Sequence, residues 1–301
     1  MINKDYLNQV KLLVQILPEI SNEKCFALKG GTAINLFYSN LPRLSVDIDL
    51  TYIPFDNRAT AYSNINSALD RINTSLNKKG YKSFIRGGSE KKIIGEGKDF
   101  SKVKIEPNYT LRGVIGTPQV LPVCEKAEEL FGYTETLVLS KAEVFGGKIC
   151  AALDRQHPRD LFDIYQLVEN NGLNTEVMQG FVVMLLGAGR PIYEMITPNV
   201  LNQETTFNNE FQGMTDSDFS YKQHIETLKY LTEKVQTELK ENYKDMLFDF
   251  VRLNLDLKQT GIPNLEKLPA VQWKLQNLKK LQKINSAKFD NELSELKKIL
   301  G

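Results

Sequence analysis

The sequence predicts an α+β protein in which a lobe of strands and helices is followed by a mainly helical C-terminal lobe. Apolar or alternating segments typical of strands lie near 25–28, 44–52, 81–86, 103–107 and 119–124. From Lys141 onward the strand signals nearly vanish, and apolar residues recur at helical intervals. A chain of 301 residues is also long enough to bury a large core and to divide into two lobes.

The first elements follow from local spacing. Residues 5–18 place apolar side chains at helical intervals, which predicts a helix before the strand at 25–28. A short helix is expected over 32–38, and the strand at 44–52 comes next. Pro54 ends that strand, because proline and the turn-forming residues after it interrupt the ladder.

The later elements lead to a predicted division of the chain. Residues 59–78 repeat apolar side chains at helical intervals, and the glycine-rich stretch at 87–97 predicts a mobile loop or hairpin between strands. The glycine-containing segment 170–172 is expected to act as a hinge. We therefore predict one domain over 1–170 and a helical domain over 171–301.

The densest chemical signal is a glycine pair followed by two carboxylates. Residues 28–33 read LKGGTA, and residues 43–50 read RLSVDIDL. Because residues i and i+2 of a strand share a face, Asp47 and Asp49 project side by side, and Ser45 lies on the same face. Adjacent carboxylates suit Mg²⁺, while a glycine-rich turn that opens a helix offers N–H groups to phosphates. Each feature alone is commonplace, but their order predicts metal-dependent nucleotide chemistry.

A third carboxylate is available on a later strand. Glu106 alternates with Lys104 on one strand face, and the apolar residues between them take the other face. Placed near Asp47 and Asp49, it would complete a site for one or two Mg²⁺ ions. Considered alone, Glu106 is more typical of a surface strand residue.

Charged residues on the predicted helices between Lys141 and residue 170 form another candidate group. Lys148 follows the glycine pair at 146–147, where close backbone approach is expected, and a lysine among small residues reaches a triphosphate as a point charge. The alternative is a surface lysine whose stem alone is covered. Asp160 and Asp163 share a helix face, where they orient Lys148 or Arg155 or bind the nucleotide or acceptor directly. Alternatively, Asp160 only complements the helix dipole.

Two basic stretches are candidates for nucleic-acid contact. Seven basic residues stand against Glu90 and Glu96 between positions 78 and 98: Lys78, Lys79, Lys82, Arg86, Lys91, Lys92 and Lys98. Clustered cations near adaptable backbone suit an RNA phosphate backbone, although solvated surface is the alternative. The segment 267–288 is basic as well, and its Trp273 is expected to pack against the core.

Composition excludes several classes of protein. The sequence contains no run of eighteen apolar residues, so no membrane span is expected, and the N-terminus lacks the apolar segment of a signal peptide. The 3 cysteines are scattered without zinc spacing, which fits a cytoplasmic protein, and the 2 histidines are too far apart for a metal site. A net charge of +1 predicts no nucleic-acid partner unless a local patch supplies the contacts.

These motifs together resemble a known family. The glycine and carboxylate segments resemble the first motif of the polymerase-β-type nucleotidyltransferase superfamily and, more narrowly, of the AbiEii/AbiGii group of bacterial toxins, which includes the MenT toxins. Segments 103–106, 147–163 and 273–278 resemble, in order, the strand of the third metal carboxylate, the lysine helix with its Arg-Asp-x-x-Asp segment, and a short C-terminal element. Thr32 replaces the usual serine of the superfamily, and the Gly-to-Asp spacing is longer than in many members.

The resemblance implies a polymerase-β-type core with a mixed sheet, followed by the helical lobe. It implies catalytic roles for Asp47, Asp49, Lys148 and Asp160. It further implies Mg²⁺ ligation by Asp47, Asp49 and Glu106, and nucleotide contacts from Gly30, Gly31, Thr32, Ser45, Lys148 and Asp163.

The same resemblance implies a reaction and partners. An acceptor hydroxyl attacks an NTP and releases pyrophosphate, the acceptor is a tRNA 3′ end whose extension blocks aminoacylation, and a separately encoded AbiEi-like antitoxin is the partner. Two alternatives stay open at this point. The acceptor is a small-molecule or protein hydroxyl, or the chain is a catalytically silent nucleotide-binding regulator, against which the intact carboxylate set argues.

Overall fold

The computed structural model describes residues 2–170 and 172–301, and the chain divides into two compact units. The first unit comprises Met1–Val144 with Glu210–Asp218, and the second comprises Phe145–Asn209 with Phe219–Gly301. The predicted hinge at 170–172 includes Asn171, which lies outside the described residues. The division into domains at 170 and 171 stays a prediction.

The first unit contains all the described strands. Its elements in chain order are α1 (Lys4–Ser21), β1 (Phe26–Lys29), α2 (Gly30–Ala33) continued by a π-helical turn (Ile34–Tyr38), β2 (Asp47–Tyr52), α3 (Arg58–Lys78), β3 (Lys82–Arg86), β4 (Lys92–Glu96), β5 (Lys102–Asn108), β6 (Gln119–Pro122), α4 (Glu125–Phe131), β7 (Glu135–Val138) and the start of α5 (Lys141–Arg155). Every predicted strand in this region is confirmed, and the glycine-rich stretch forms the hairpin of β3 and β4.

Within the described residues, the seven strands form one mixed sheet in the order β3-β4-β5-β2-β1-β7-β6. Strand β2 runs parallel to β5, and β1 runs parallel to β7, whereas the other neighbouring pairs are antiparallel. Ile48 and Leu50 of β2 are buried, as the alternation predicts. Helices α1 and α3 pack on the strands, and Ile16 of α1 reaches Gly95 of β4. The α+β class and the mixed sheet are confirmed.

Among the described residues of the second unit, the regular secondary structure is all helical. Its elements are the remainder of α5, α6 (Pro158–Asn170), α7 (Thr175–Leu186), α8 (Ile192–Ile196), α9 (Glu204–Thr206), which runs into a π-helical turn (Phe207–Phe211), α10 (Tyr221–Asn242), α11 (Lys244–Val251), two 3-10 turns (Leu257–Gln259 and Leu265–Lys267), α12 (Pro269–Ile284) and α13 (Ser286–Leu300). The helical C-terminal part is therefore confirmed.

The glycine pair in α5 is only partly used for close packing. A Cβ atom added at Gly146 would collide with the backbone of Gly180 in α7, so the two helices approach closely at that point. A Cβ atom added at Gly147 meets nothing within 4 Å. The close approach predicted for the pair is therefore a property of Gly146 alone.

Helix α12 corrects one expectation about the core. Trp273 is 57% exposed, so the prediction that it packs against the core is wrong. The reason is the rotational phase of the helix, which buries Val271 and Leu278 and with them Lys274. The Lys274 ammonium donates to the backbone carbonyl oxygens of the loop before α8, at Ala188 and Arg190.

The helices that the structure describes do not include a membrane-spanning one. None of them combines the length and the apolar character that crossing a bilayer requires.

Candidate active site

The candidate site of the first unit is built on two parallel strands. In the register of β2 and β5, Asp47 lies opposite Lys104, and Asp49 lies opposite Glu106. Adjacent strands are about 4.8 Å apart, and residues in register present their side chains on the same face. The structure thus brings the third predicted carboxylate beside the first two, on a strand more than fifty residues further along the chain.

Gly30 allows the backbone to touch the carboxylate of Asp49. Strand β1 ends at Lys29, whose register partner is Asp49, and Gly30 then turns the chain with φ of 72°. A Cβ atom at Gly30 would lie 2.5 Å from Asp49 Oδ2. Glycine is therefore required here both for the left-handed backbone and for the contact.

Gly31 makes a second close approach. A Cβ atom added there would lie 2.8 Å from Arg43 Nη2 and 2.9 Å from Ser45 Oγ. The glycine pair is consequently enclosed by polar side chains that come from the segment before β2.

Thr32 and Ser45 join helix α2 to the start of β2. The Thr32 hydroxyl donates to the backbone carbonyl oxygen of Asp47 at 2.5 Å, and it lies 3.0 Å from Ser45 Oγ. Both side chains are buried. The hydroxyl proton of Thr32 is thus used within the fold, and any phosphate contact from this residue falls to its backbone N–H group.

Arg43 is a component that the sequence reasoning did not assign. Its guanidinium group is buried, lies against Gly31 and donates to the carbonyl oxygen of Leu44 at 2.8 Å. The Asn35 amide, in the π-helical turn, donates to the Gly31 carbonyl oxygen at 2.9 Å and accepts from the Arg43 N–H group at 3.3 Å. The alternation of Arg43, Ser45, Asp47 and Asp49 at every second position was the available signal.

Lysines surround the carboxylates of this face. Glu106 is ion-paired with Lys104 at 2.7 Å and with Lys92 at 3.1 Å. Partial burial raises the pKa of Glu106, but the hydrogen bonds and charges of the two lysines outweigh it and lower the pKa. The pKa of Lys104 is raised, mainly by its hydrogen bond to Glu106 and also by the charges of Asp47 and Asp49.

Lys29 adds a further cation that the sequence reasoning did not assign. Burial of its ammonium group lowers its pKa, and the negative charge of Asp49 opposes that shift.

The donor set fits a hard divalent cation only in part. Carboxylate oxygens are the ligands that Mg²⁺ prefers, and Asp47 and Asp49 offer them from one strand face. Among the residues that the structure describes, however, no three or more His, Cys, Asp or Glu side chains are grouped closely enough to hold a metal ion. The carboxylate oxygens of Glu106 contact lysines, Oε1 with Lys92 and Oε2 with Lys104.

The other predicted residues form a cluster in the second unit. Lys148 Nζ lies 2.7 Å from Asp160 Oδ1 and 2.9 Å from Asp163 Oδ2, and all three side chains are buried. The Arg155 guanidinium donates to both oxygens of Asp160, at 2.6 and 3.1 Å. Asp160 therefore orients both cations, and the alternative of a surface lysine is wrong for Lys148.

The neighbouring cations keep the Asp160 carboxylate ionised. Burial raises the pKa of Asp160, but the adjacent charges of Lys148 and Arg155 hold that pKa well below its usual range.

The basic segment 78–98 divides between the two faces of the sheet. Lys91 is ion-paired with Asp70 of α3 at 3.0 Å, and Lys79 is paired with Glu19 of α1. Lys92, the residue after Lys91, instead contacts Glu106 on the other face. The lysines of this segment are therefore not one continuous patch.

Comparison with known proteins identifies what the chain is similar to. A family model described as nucleotidyl transferase AbiEii toxin of a type IV toxin–antitoxin system matches residues 11–277. The fold is similar to that of MenT4, a nucleotidyltransferase toxin from Mycobacterium tuberculosis H37Rv, with a TM-score of 0.59 and 13% sequence identity over 97% of this chain and 93% of that chain. No curated protein matches the sequence.

Proposed function

The chain belongs to the AbiEii family of nucleotidyltransferase toxins of type IV toxin–antitoxin systems, and we propose that it adds nucleotides from an NTP to the 3′ end of a tRNA. The matched region, residues 11–277, includes both the carboxylate face and the Lys148 cluster. Extension of the tRNA 3′ end blocks aminoacylation and thereby stops translation. The observation that carries the proposal is the pairing of Asp49 with Glu106 beside the Gly30 turn.

The proposed reaction is a phosphoryl substitution. The 3′ hydroxyl of the acceptor attacks the α-phosphorus of the NTP and loses its proton to solvent, a new P–O bond forms, and pyrophosphate leaves with the electron pair of the broken bond. Asp47, Asp49 and Glu106 would hold Mg²⁺, which lowers the pKa of an attacking hydroxyl and neutralises the triphosphate. To hold the metal, Glu106 would have to release its contacts with Lys92 and Lys104.

The nucleotide-binding groups follow from the two clusters. The backbone N–H groups of Gly30, Gly31 and Thr32, with the Ser45 hydroxyl beside them, are placed to bind phosphate at the start of a helix. Lys148 binds a nucleotide phosphate as a point charge. Asp160 and Asp163 act as positioning residues that hold the ammonium group in place.

The family also implies a second protein. A toxin of a type IV system has an antitoxin partner. We propose that this partner is a separately encoded AbiEi-like protein.

A labelling experiment tests the proposed reaction. The purified protein is incubated with total RNA and each of the four α-labelled NTPs in turn, and we expect label on RNA of tRNA size. Oxidation of the RNA with periodate beforehand removes the 3′ hydroxyls and should abolish the label. EDTA should also abolish it, and added Mg²⁺ should restore it.

The same experiment separates the remaining acceptors. Label on a protein or on a small molecule, with none on RNA, would contradict a tRNA acceptor. Labelling that survives periodate oxidation would contradict attack by the 3′ hydroxyl.

A further inference from the structure

The face of β3, β4 and β5 that carries Glu106 is open to solvent. In the strand register, Phe84 of β3 lies opposite Ile94 of β4, which in turn lies opposite Lys104 of β5. These side chains and the others on the same face are exposed or half-buried. The residues that alternate with them, such as Ile93 and Ile105, are buried on the other face.

Phe84 is an unusual component of this face. It is 47% exposed in the middle of a strand, although an aromatic ring on a sheet normally gains from burial. Its ring lies between the exposed cations Lys82 and Arg86, which are two residues away on the same side of the strand. A solvent-exposed ring flanked by cations is the arrangement that binds a base by stacking and its phosphates by charge.

The face carries more cations than carboxylates. Its five cations are Lys82, Arg86, Lys92, Lys102 and Lys104, and its two carboxylates are each ion-paired with two of them, Glu96 with Lys82 and Lys102, and Glu106 with Lys92 and Lys104. Asp47 and Asp49 lie on the adjacent strand β2, at the end of the face where the candidate reaction centre is. The chain as a whole has a formal net charge of only +1. The cationic excess is therefore local, as an electrostatic contact with a polyanion requires.

The face leads to the candidate reaction centre. Phe84 and Glu106 are separated by two strand spacings of about 4.8 Å and by two residues along the strand, which is roughly 12 Å in all. A chain bound over Phe84 therefore needs only a short segment to reach the carboxylates with its end.

We infer that this face binds a single-stranded segment of the acceptor RNA. One base stacks on Phe84, and Lys82, Arg86 and Lys102 contact phosphates along the strand. The inference rests on the proposed function for RNA as the acceptor. An acidic protein segment would satisfy the cations, but it would leave the exposed ring without a stacking partner.

Fluorescence anisotropy with a labelled 12-nucleotide oligouridine, without NTP, tests the role of the ring. Phe84→Ala is expected to weaken binding by about 5-fold or more, as loss of one stacked base does, and Phe84→Trp is expected to retain it. Tyr133→Ala is the matched control, because Tyr133 is 61% exposed and lies next to β7, at the other end of the sheet. Its affinity should equal that of the unmodified chain.

Salt dependence tests the role of the cations. The triple variant Lys82→Gln, Arg86→Gln and Lys102→Gln should reduce the slope of log affinity against log salt by about 2, since each single-strand phosphate contact contributes about 0.7. The affinity for NTP should be unchanged, because none of the three side chains belongs to the proposed nucleotide site. The melting temperature should change little, because the ion pairs of Lys82 and Lys102 with Glu96 involve exposed lysines.

Several outcomes decide between this inference and the proposed function. Oligouridine binding by the Phe84→Ala and triple variants that equals wild type would overturn the inference, even if the wild-type chain labels RNA. Phe84-dependent binding without any labelling of RNA by NTP would support the surface and contradict the reaction. Polyglutamate that binds as tightly and loses the same affinity in Phe84→Ala would assign the face to an acidic protein and overturn the inference.

Discussion

Replacement of Lys148 by methionine is expected to destabilise the second unit, because it removes the cation shared by two buried carboxylates. The Lys148 side chain is only 6% exposed and contacts both Asp160 and Asp163. Methionine fills most of the volume of the lysine stem, so the expected loss comes from charge rather than from a cavity. Arg155 continues to neutralise Asp160 after the change.

The magnitude follows from the burial of the pair. Removal of one partner from a buried ion pair costs about 3–5 kcal/mol, since an uncompensated charge is left in a medium of low polarity. For a unit of this size, each kcal/mol lowers the melting temperature by about 2–4 °C. A decrease of about 10 °C is therefore expected for Lys148→Met.

Thermal melts of three variants measure this effect. Lys148→Met and Asp163→Asn should each melt below the unmodified chain, and the double variant should recover much of the loss because neither charge remains. Lys222→Met is the matched control, since Lys222 is 84% exposed and its ion pair with Glu226 is at the surface. Its melting temperature should change by less than about 2 °C.

The double variant also separates structure from nucleotide binding. If Lys148 contacts a phosphate, the double variant should be stable and still bind NTP about 10-fold or more weakly, the effect of one lost charge-assisted contact. A Lys148→Met variant that melts like the unmodified chain would contradict the destabilisation assigned to an uncompensated buried carboxylate. Unchanged NTP affinity in the stable double variant would refute the phosphate contact.

Three further predictions concern the rest of the molecule. Asp47→Asn and Asp49→Asn should each abolish nucleotide transfer, while the melting temperature stays within about 3 °C of that of the unmodified chain, because removal of like charges opens no cavity. Transfer near the wild-type rate in either variant would exclude metal ligation by that residue. Gly31→Ala should reduce stability by about 1–3 kcal/mol, since its Cβ atom would lie 2.8 Å from Arg43 Nη2, whereas Gly88→Ala, with nothing within 4 Å, should change urea unfolding by less than about 0.5 kcal/mol. Burial lowers the pKa of His224 to about 4 from 6.5. Between pH 4 and pH 6.5 the unfolded chain therefore binds more protons at this residue than the folded chain does. The stability that His224 contributes is full above pH 6.5 and is lost as the pH falls towards 4. Urea unfolding at pH 7 and pH 5 should therefore show a loss of about 2 kcal/mol that His224→Phe removes, and an equal loss in that variant would show that another group is responsible.

The local pattern of the sequence determined which residues share a face. The alternation in 43–50 predicted that Asp47 and Asp49 lie together and that Ile48 and Leu50 are buried, and both features are observed in β2. Such periodicity depends only on the geometry of one strand or helix, so it is visible without knowledge of the neighbours. The order of the glycine, carboxylate and lysine segments was likewise sufficient to indicate the family.

Contacts between residues far apart in the chain depend on the tertiary structure. Glu106 lies beside Asp49 because β5 pairs with β2, although α3, β3 and β4 lie between them in the chain. Neither strand alone encodes this strand order. The burial of Lys148 depends on two carboxylates from the next helix. Trp273 is exposed because the packing of α12 buries Lys274 instead. In each case the result depends on strand pairing, burial or charge between elements that are far apart in the chain. The spacing of residues within one element contains no information about these interactions.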